Sequence, residues 1–195
     1  MASNVLLPSE RADSIKKSPV YREGVWAVDN GRPDVIVDLL NTKLLDATSE
    51  TGHEIFIEAA IQNQVGIVRF LLIAGANPNR NDGEILVAAV LHRAADVVDE
   101  LLNTCATDAM LNDHRAFTLA YQLNYGDLLG DLLVWHCEKH GKEKTLDLVQ
   151  HMQQHETIAA NDAATVLMQF IETFGEKGPR RSARSRRQPT RLPIS

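Results

Sequence analysis

The sequence predicts an all-α fold, a solenoid of about four helix–turn–helix units followed by a C-terminal helical cap. Three patterns recur at intervals of 30 to 32 residues between Val25 and Leu133. Each copy has a doublet that begins with alanine, then an apolar pair, then a pair of leucines. Self-similarity at this interval indicates a stack of supersecondary units in which each unit contacts only its neighbours.

The recurring positions place two helices in each unit. The alanine-led doublets mark the first helix, where small residues let two helices approach closely, and the other two patterns mark the second helix. The doublets are Ala27-Val28, Ala59-Ala60, Ala89-Val90 and Ala120-Tyr121; the apolar pairs are Val35-Ile36, Ile67-Val68, Val97-Val98 and Leu128-Leu129; the leucine pairs are Leu39-Leu40, Leu71-Leu72, Leu101-Leu102 and Leu132-Leu133.

The second copy shows the unit most clearly. A first helix is predicted over Glu54–Gln62, and Asn63 follows as a residue that tolerates the left-handed conformation that ends a helix. A second helix is predicted over Val65–Ala74, where the apolar residues form a stripe along one face. Gly75 closes this helix, and Ala76–Asn79 turns away as a loop.

This unit resembles the ankyrin repeat. Gly52 and Ala59-Ala60 match the family pattern, Phe56 takes a leucine position, and Gly75-Ala76-Asn77-Pro78-Asn79 stands where the family has Gly-Ala-Asp-Val-Asn. The family glycine between the helices is kept as Gly31, whereas Asn63, Arg93 and Asn124 replace it, Arg93 being a poor substitute. The resemblance covers about residues 20–135.

The resemblance implies a non-enzymatic protein–protein interaction module or scaffold with no cofactor and no small-molecule substrate, acting as a monomer. It also implies that a protein partner binds the concave face and the loop tips. The implied concave positions are Asp29, Asn30, Ile61, Gln62, Leu91, His92, Gln122 and Leu123, and the implied loop-tip positions are His53, Arg80, Asn81, Asp82, Asp113, His114 and Arg115. Ile61, Leu91 and Leu123 would form an exposed apolar stripe.

The pattern divides the chain into four parts. Residues 1–19 form a polar N-terminal segment, and residues 20–141 hold the divergent repeats. Residues 142–175 are predicted to form a capping hairpin, with one helix over Lys142–His155 and a last helix capped at Asn161-Asp162. Residues 176–195 lack apolar periodicity and are predicted to be disordered.

Charge is divided unevenly along the chain. The net charge is −6, but residues 176–195 carry seven basic residues and one acid, which leaves −12 for residues 1–175. An acidic body argues against a nucleic-acid-binding fold. The basic tail, which includes Arg180, Arg181, Arg184, Arg186, Arg187 and Arg191, supports an alternative hypothesis of a nuclear-shuttling regulator; it is also compatible with a secretion signal or a solubilising tail.

A second alternative is a metal-stabilised protein. Five residues near the end of the repeats have side chains that can bind metals: His136, Cys137, His140, His151 and His155. Both histidine pairs have i, i+4 spacing on a helix. The segment His151-Met152-Gln153-Gln154-His155 lacks the glutamate of a zinc-protease helix, so catalysis is not expected, and our first prediction is that no metal is bound.

The composition of the chain limits its expected cellular location. No run of eighteen apolar residues occurs, so we expect no membrane span and no secretory signal. Cys105 and Cys137 are expected to be reduced core thiols, which favours the cytoplasm and, with the basic tail, the nucleus. The small size and degenerate repeats suggest a sharper hypothesis, a bacterial or viral effector or inhibitor that acts on a host protein in the host cytoplasm or nucleus.

Overall fold

The structure is a computed structural model that describes the backbone of residues 8–104 and 107–155 and the side chains of residues 13–104 and 107–152. These residues contain no β-strand. Their helices are α1 (Pro8–Lys17), α2 (Pro19–Asp29), α3 (Pro33–Asn41), α4 (Glu50–Ile61), α5 (Val65–Ile73), α6 (Arg80–Leu91), α7 (Ala95–Asn103), α8 (Leu111–Gln122), α9 (Gly126–His140) and α10 (Lys142–His155).

Helices α2 to α9 form four pairs that stack in two layers. The first helices of the pairs, α2, α4, α6 and α8, pack side by side in what we call the inner layer, and α3, α5, α7 and α9 form the outer layer. At one end α1 packs on α2, and at the other α10 packs on α9. The structure thus confirms the predicted all-α solenoid, and α10 has the bounds predicted for the first cap helix.

The core follows the recurring residues. All eight residues of the four doublets are buried, and so is the first leucine of each leucine pair. The second leucine is buried in the third and fourth units, whereas Leu40 and Leu72 are partly buried and pack at the edge of the same cluster. Burial of an aliphatic side chain stabilises the fold by about 1.5–3 kcal/mol, so this single continuous cluster is the main source of stability.

The turn between the two helices of each unit adopts the left-handed conformation. The φ angles are +59° at Gly31, +55° at Asn63, +54° at Arg93 and +57° at Asn124. Glycine and asparagine adopt this conformation at low cost, but arginine does not. Arg93 is held there by contacts with the next unit: its guanidinium lies 5.1 Å from the centre of the Tyr125 ring and 3.6 Å from the carboxylate of Asp127.

Asn63 also joins its unit to the next one. Its side-chain oxygen accepts a hydrogen bond from the backbone N–H of Val97 (3.1 Å), and its amide donates to Asp96 (2.9 Å). Val97 lies in the first turn of α7, where backbone N–H groups have no partner within the helix. The asparagine therefore caps a helix of the neighbouring unit while it makes the turn in its own.

We expect Asn63→Gly to lower the free energy of unfolding by about 1 kcal/mol, since it removes the cap but keeps the turn. Asn63→Ala should lower it by about 2 kcal/mol, because alanine also adds the cost of a left-handed residue. Urea unfolding of the two variants measures both values. Equal losses for glycine and alanine would contradict the role of the turn conformation.

Two inner helices begin with a left-handed kink. In α6 the residues Asn81, Asp82 and Gly83 have positive φ, and in α8 the residues Asn112, Asp113 and His114 do. Asn, Asp and Gly are the residues that tolerate this conformation best. The regular part of each helix therefore follows the kink, and the kink residues connect it to the preceding loop.

Two boundaries differ from the sequence prediction. Helix α4 begins at Glu50, four residues earlier than predicted, because the side chain of Ser49 caps it by accepting a hydrogen bond from Gly52 N–H (3.0 Å). The N-terminal segment contains a helix, α1, that the sequence did not reveal. Helix α9 continues past the last leucine pair to His140.

The second cap helix predicted from Asn161 and the predicted disordered tail over residues 176–195 lie outside the described residues. Among the helices that the structure does describe, none combines the length and the hydropathy needed to cross a bilayer.

Candidate partner-binding surface

Large apolar side chains are exposed along the inner layer. Trp26 of α2, Leu91 of α6 and Leu123 at the end of α8 are 50%, 48% and 38% exposed, and Ile61 at the end of α4 is half-buried. Ile61 and Leu91 occupy equivalent positions in their units, and Leu123 lies one position further along. We call these four residues the apolar row. Exposed apolar side chains on neighbouring elements are typical of an interaction surface.

The sequence prediction named three members of the apolar row but missed Trp26. Trp26 lies three and four residues before the predicted positions Asp29 and Asn30, hence on the same face of α2. A tryptophan directly before the first doublet was the available signal. The predicted stripe is thus extended by one unit, although Ile61 is less exposed than expected.

A side-chain bond shows that the predicted concave positions of adjacent units are neighbours. The amide of Gln62 donates to the carboxylate of Asp29 at 2.6 Å, which ties the C-terminal ends of α2 and α4 together. Asn30, His92 and Gln122 are also exposed, in agreement with the predicted surface. Whether these residues contact a partner stays a prediction.

Carboxylates converge beside this surface near α2 and α4. The pKa of the Tyr21 hydroxyl is raised above its ordinary value by burial first, and then by the carboxylates of Glu58, Glu54 and Asp29. The tyrosine therefore remains neutral, and negative charge accumulates around it. The inner layer combines apolar side chains with acidic ones.

The predicted loop-tip residues differ in their exposure, and whether any of them contacts a partner stays a prediction. Asn81, Asp82 and Asp113 are exposed residues of the left-handed kinks, and Arg115 is exposed just after the second kink. Arg80 is half-buried, and its guanidinium donates to the carbonyl oxygens of Thr48 (3.3 Å) and Ser49 (3.0 Å). Arg80 therefore fastens one loop to the preceding one and is committed to the array itself.

His53 and His114 are less exposed than the predicted loop-tip positions require. His53 is 4% exposed and lies in the first turn of α4, because that helix starts earlier than predicted; its Nε2 is 3.3 Å from Glu84 and from Asn81. His114 is half-buried, with its ring 6.3 Å from that of Phe117. Neither side chain is a freely exposed loop tip.

The comparison with known families agrees with this geometry. A family model of ankyrin repeats matches residues 25–113 in three copies, from α2 into α8. Residues 25–113 are ankyrin repeats. The pair formed by α8 and α9 continues the ankyrin stack beyond the match, with Asn124 in the left-handed turn. Neither the curated proteins nor the solved structures include a significant match to this chain.

Histidines gather where the pair formed by α8 and α9 meets α10. A cavity of about 690 Å³ is lined by four of them, His114, His136, His140 and His151, together with Lys144 and Asp147. The rings of His136 and His140 are 4.8 Å apart. His136 is 2% exposed, and its Nδ1 lies 2.7 Å from the hydroxyl of Thr145, which itself donates to the carbonyl of Gly141. We therefore assign the imidazole as the donor of the His136–Thr145 bond.

The environment of His136 disfavours its protonation. Burial lowers its pKa to about 4, with further contributions from His140, His114 and Lys144. The imidazole is therefore neutral at pH 7. Burial also raises the pKa of the neighbouring Cys137 thiol, so Cys137 is a free and protonated thiol.

The described residues contain no group of three or more His, Cys, Asp or Glu side chains arranged to hold a metal ion. The side chain of His155, a member of the cluster predicted from the sequence, lies outside the described residues. The metal hypothesis therefore receives no support from the described residues.

Proposed function

We propose that this ankyrin-repeat protein is a non-enzymatic binding module that holds a partner protein against its inner layer. Ankyrin repeats are in general protein–protein interaction modules. The observation that carries the proposal is the apolar row, which leaves large side chains in water on neighbouring units of the inner layer. A few central anchors of this kind supply most of the affinity of a typical interface.

The rigidity of the array supports the same function. The doublets fix the inner helices side by side, and bonds such as that between Gln62 and Asp29 fix their ends. A surface ordered before binding loses less entropy when the complex forms. Affinity would then arise from preorganised shape, with the loop-tip residues Asn81, Asp82 and Arg115 at the rim.

The test compares two double variants in capture experiments followed by affinity measurement. Leu91→Glu with Leu123→Glu changes the apolar row. Leu44→Glu with Ile73→Glu changes residues that are at least as exposed but belong to the outer layer: Leu44 follows α3, and Ile73 is the last residue of α5. We expect the first variant to weaken binding of a captured protein by at least about tenfold, and the second to leave it within about twofold.

All four positions are exposed, so both variants should fold, and circular dichroism checks this. A partner that binds both variants equally well would show that the inner layer is not the binding surface. Retention by the control and loss by the row variant is the outcome that supports the proposal.

No observation in the described structure supports the more specific hypotheses from the sequence. The effector role depends on the identity of a host, and nuclear shuttling depends on residues outside the described ranges. A metal-stabilised state needs a metal site, which the described residues do not form. They stay predictions, as do the cytoplasmic or nuclear location and the monomeric state.

A further inference from the structure

The sign of the charge at one position of the inner layer differs between the central units and the end units. The residue five positions before each doublet is Arg22 in α2, Glu54 in α4, Glu84 in α6 and Arg115 in α8. Acidic side chains therefore occupy this position in the two central units, and basic ones occupy it at the two ends. Glu58, one turn after Glu54 on the same face of α4, adds a further carboxylate to the centre.

The central carboxylates have no lysine or arginine partner among the described residues. No Lys or Arg of the described residues lies within ion-pair distance of Glu54 or Glu58, and the described contacts of Glu84 are with His53 and Asn81. In the outer layer, by contrast, Glu100 pairs with Arg69 at 2.6 Å. Like charges four residues apart on a helix destabilise it, so Glu54 and Glu58 carry a cost that an external cation would relieve.

The apolar row sets the spacing of the partner's anchors. Packed helices lie about 8–10 Å apart, so anchors on successive inner helices repeat at about that distance. Seven residues of an α-helix span about 10 Å and return to the same face. In a β-strand, residues three apart cover a similar distance but point to opposite faces.

We infer that the inner layer binds a basic amphipathic helix of a partner protein, with aliphatic anchors on the apolar row and lysines or arginines beside Glu54 and Glu58. The inference rests on the proposed function and adds the chemistry of the partner. Charge complementarity supplies orientation and a faster encounter, and the apolar anchors supply most of the affinity.

The probe is a labelled peptide of three heptads, with one leucine in each heptad, a lysine on either side of it, and alanine elsewhere. Binding to the full chain is followed by fluorescence anisotropy. Two control peptides replace the lysines with glutamates or move the leucines off the heptad spacing. We expect each control to bind at least about tenfold more weakly than the basic peptide.

A matched pair of protein variants locates the contact. Glu54→Gln with Glu58→Gln should weaken binding of the basic peptide about fivefold to tenfold and reduce its dependence on salt. Asp38→Asn with Glu143→Gln removes the same charge from α3 and α10 and should leave the Kd unchanged. Equal affinity for both variants, or equal binding of the acidic peptide, overturns the inference.

Further comparisons distinguish a failure of this inference from a failure of the proposed function. If the Leu91/Leu123 variant loses a captured partner while the basic peptide does not bind, the proposed function stands and the inferred chemistry is wrong. If the peptide binds that variant normally, its contact lies elsewhere and the inferred site is wrong. A peptide of residues 176–195 that binds the chain more tightly than the leucine–lysine peptide would identify the chain's own basic segment as the occupant and overturn an external one.

Discussion

Gly52→Ala should lower the free energy of unfolding by about 3 kcal/mol, because there is no room for a side chain at this position. An added Cβ would meet the carbonyl oxygen of Asp46 and lie 2.8 Å from the Cα and carbonyl oxygen of Ala47. These are backbone atoms of the preceding loop. The Asp46 carbonyl also accepts hydrogen bonds from the N–H (3.1 Å) and hydroxyl (2.6 Å) of Ser49, so the loop cannot move aside without disturbing the cap of α4.

Gly66→Ala is the matched control. Gly66 lies in α5, and the nearest atom to an added Cβ is the Cβ of Pro33 at 4.0 Å. Alanine favours a helix over glycine by up to about 1 kcal/mol, so this variant should be slightly more stable than the parent. Urea unfolding and thermal midpoints measure both. A Gly52→Ala protein as stable as the parent would show that the loop before α4 is not held in place as described.

Acidification should destabilise the protein through His136. Its folded-state pKa of about 4 lies below the unfolded value of about 6.5, so the unfolded chain binds more protons between these values. The stability contribution of the neutral imidazole is complete above about pH 6.5 and is lost as the pH falls towards 4. We expect a loss of about 2 kcal/mol between pH 7 and pH 5 from this group, and about 3 kcal/mol by pH 4.

His136→Asn isolates this contribution, because asparagine keeps a donor near Thr145 but does not titrate. The variant should be less stable at pH 7 and should lose about 2 kcal/mol less than the parent when the pH falls to about 5. Urea unfolding at each pH gives the loss of stability of the parent and of the variant on acidification. Subtracting one loss from the other cancels the titration of the other groups. Parallel stability curves for parent and variant would rule out His136 as the source.

The repeating part of the fold was predictable because each unit is stabilised by the same local contacts. A doublet followed by an apolar pair and a leucine pair specifies two packed helices, and every doublet residue is buried as this requires. Gly52 was recognised as part of the pattern, yet the pattern does not say why glycine is needed. The reason is the backbone of Asp46 and Ala47, which only the folded loop places against it.

The exposure of the candidate surface residues was predictable in outline and wrong in detail where contacts between units decide the environment; their binding of a partner stays a prediction. His53 looked like a loop tip because the start of α4 was placed too late; the cap by Ser49 moves it into the helix and against Glu84. Arg93 is a poor left-handed residue by itself, and its contacts with Tyr125 and Asp127 of the next unit hold it there.

The sequence alone determined the type of fold, the number of units and the position of their shared core, since these follow from a periodic pattern of residue types that any neighbouring copy can satisfy. Within the described residues, the tertiary structure alone decided which polar side chains bond to other parts of the array and which carboxylates have no lysine or arginine partner. The physical reason is that these outcomes depend on distances between atoms about thirty residues apart in the chain, as between Gln62 and Asp29, and local sequence does not encode such distances.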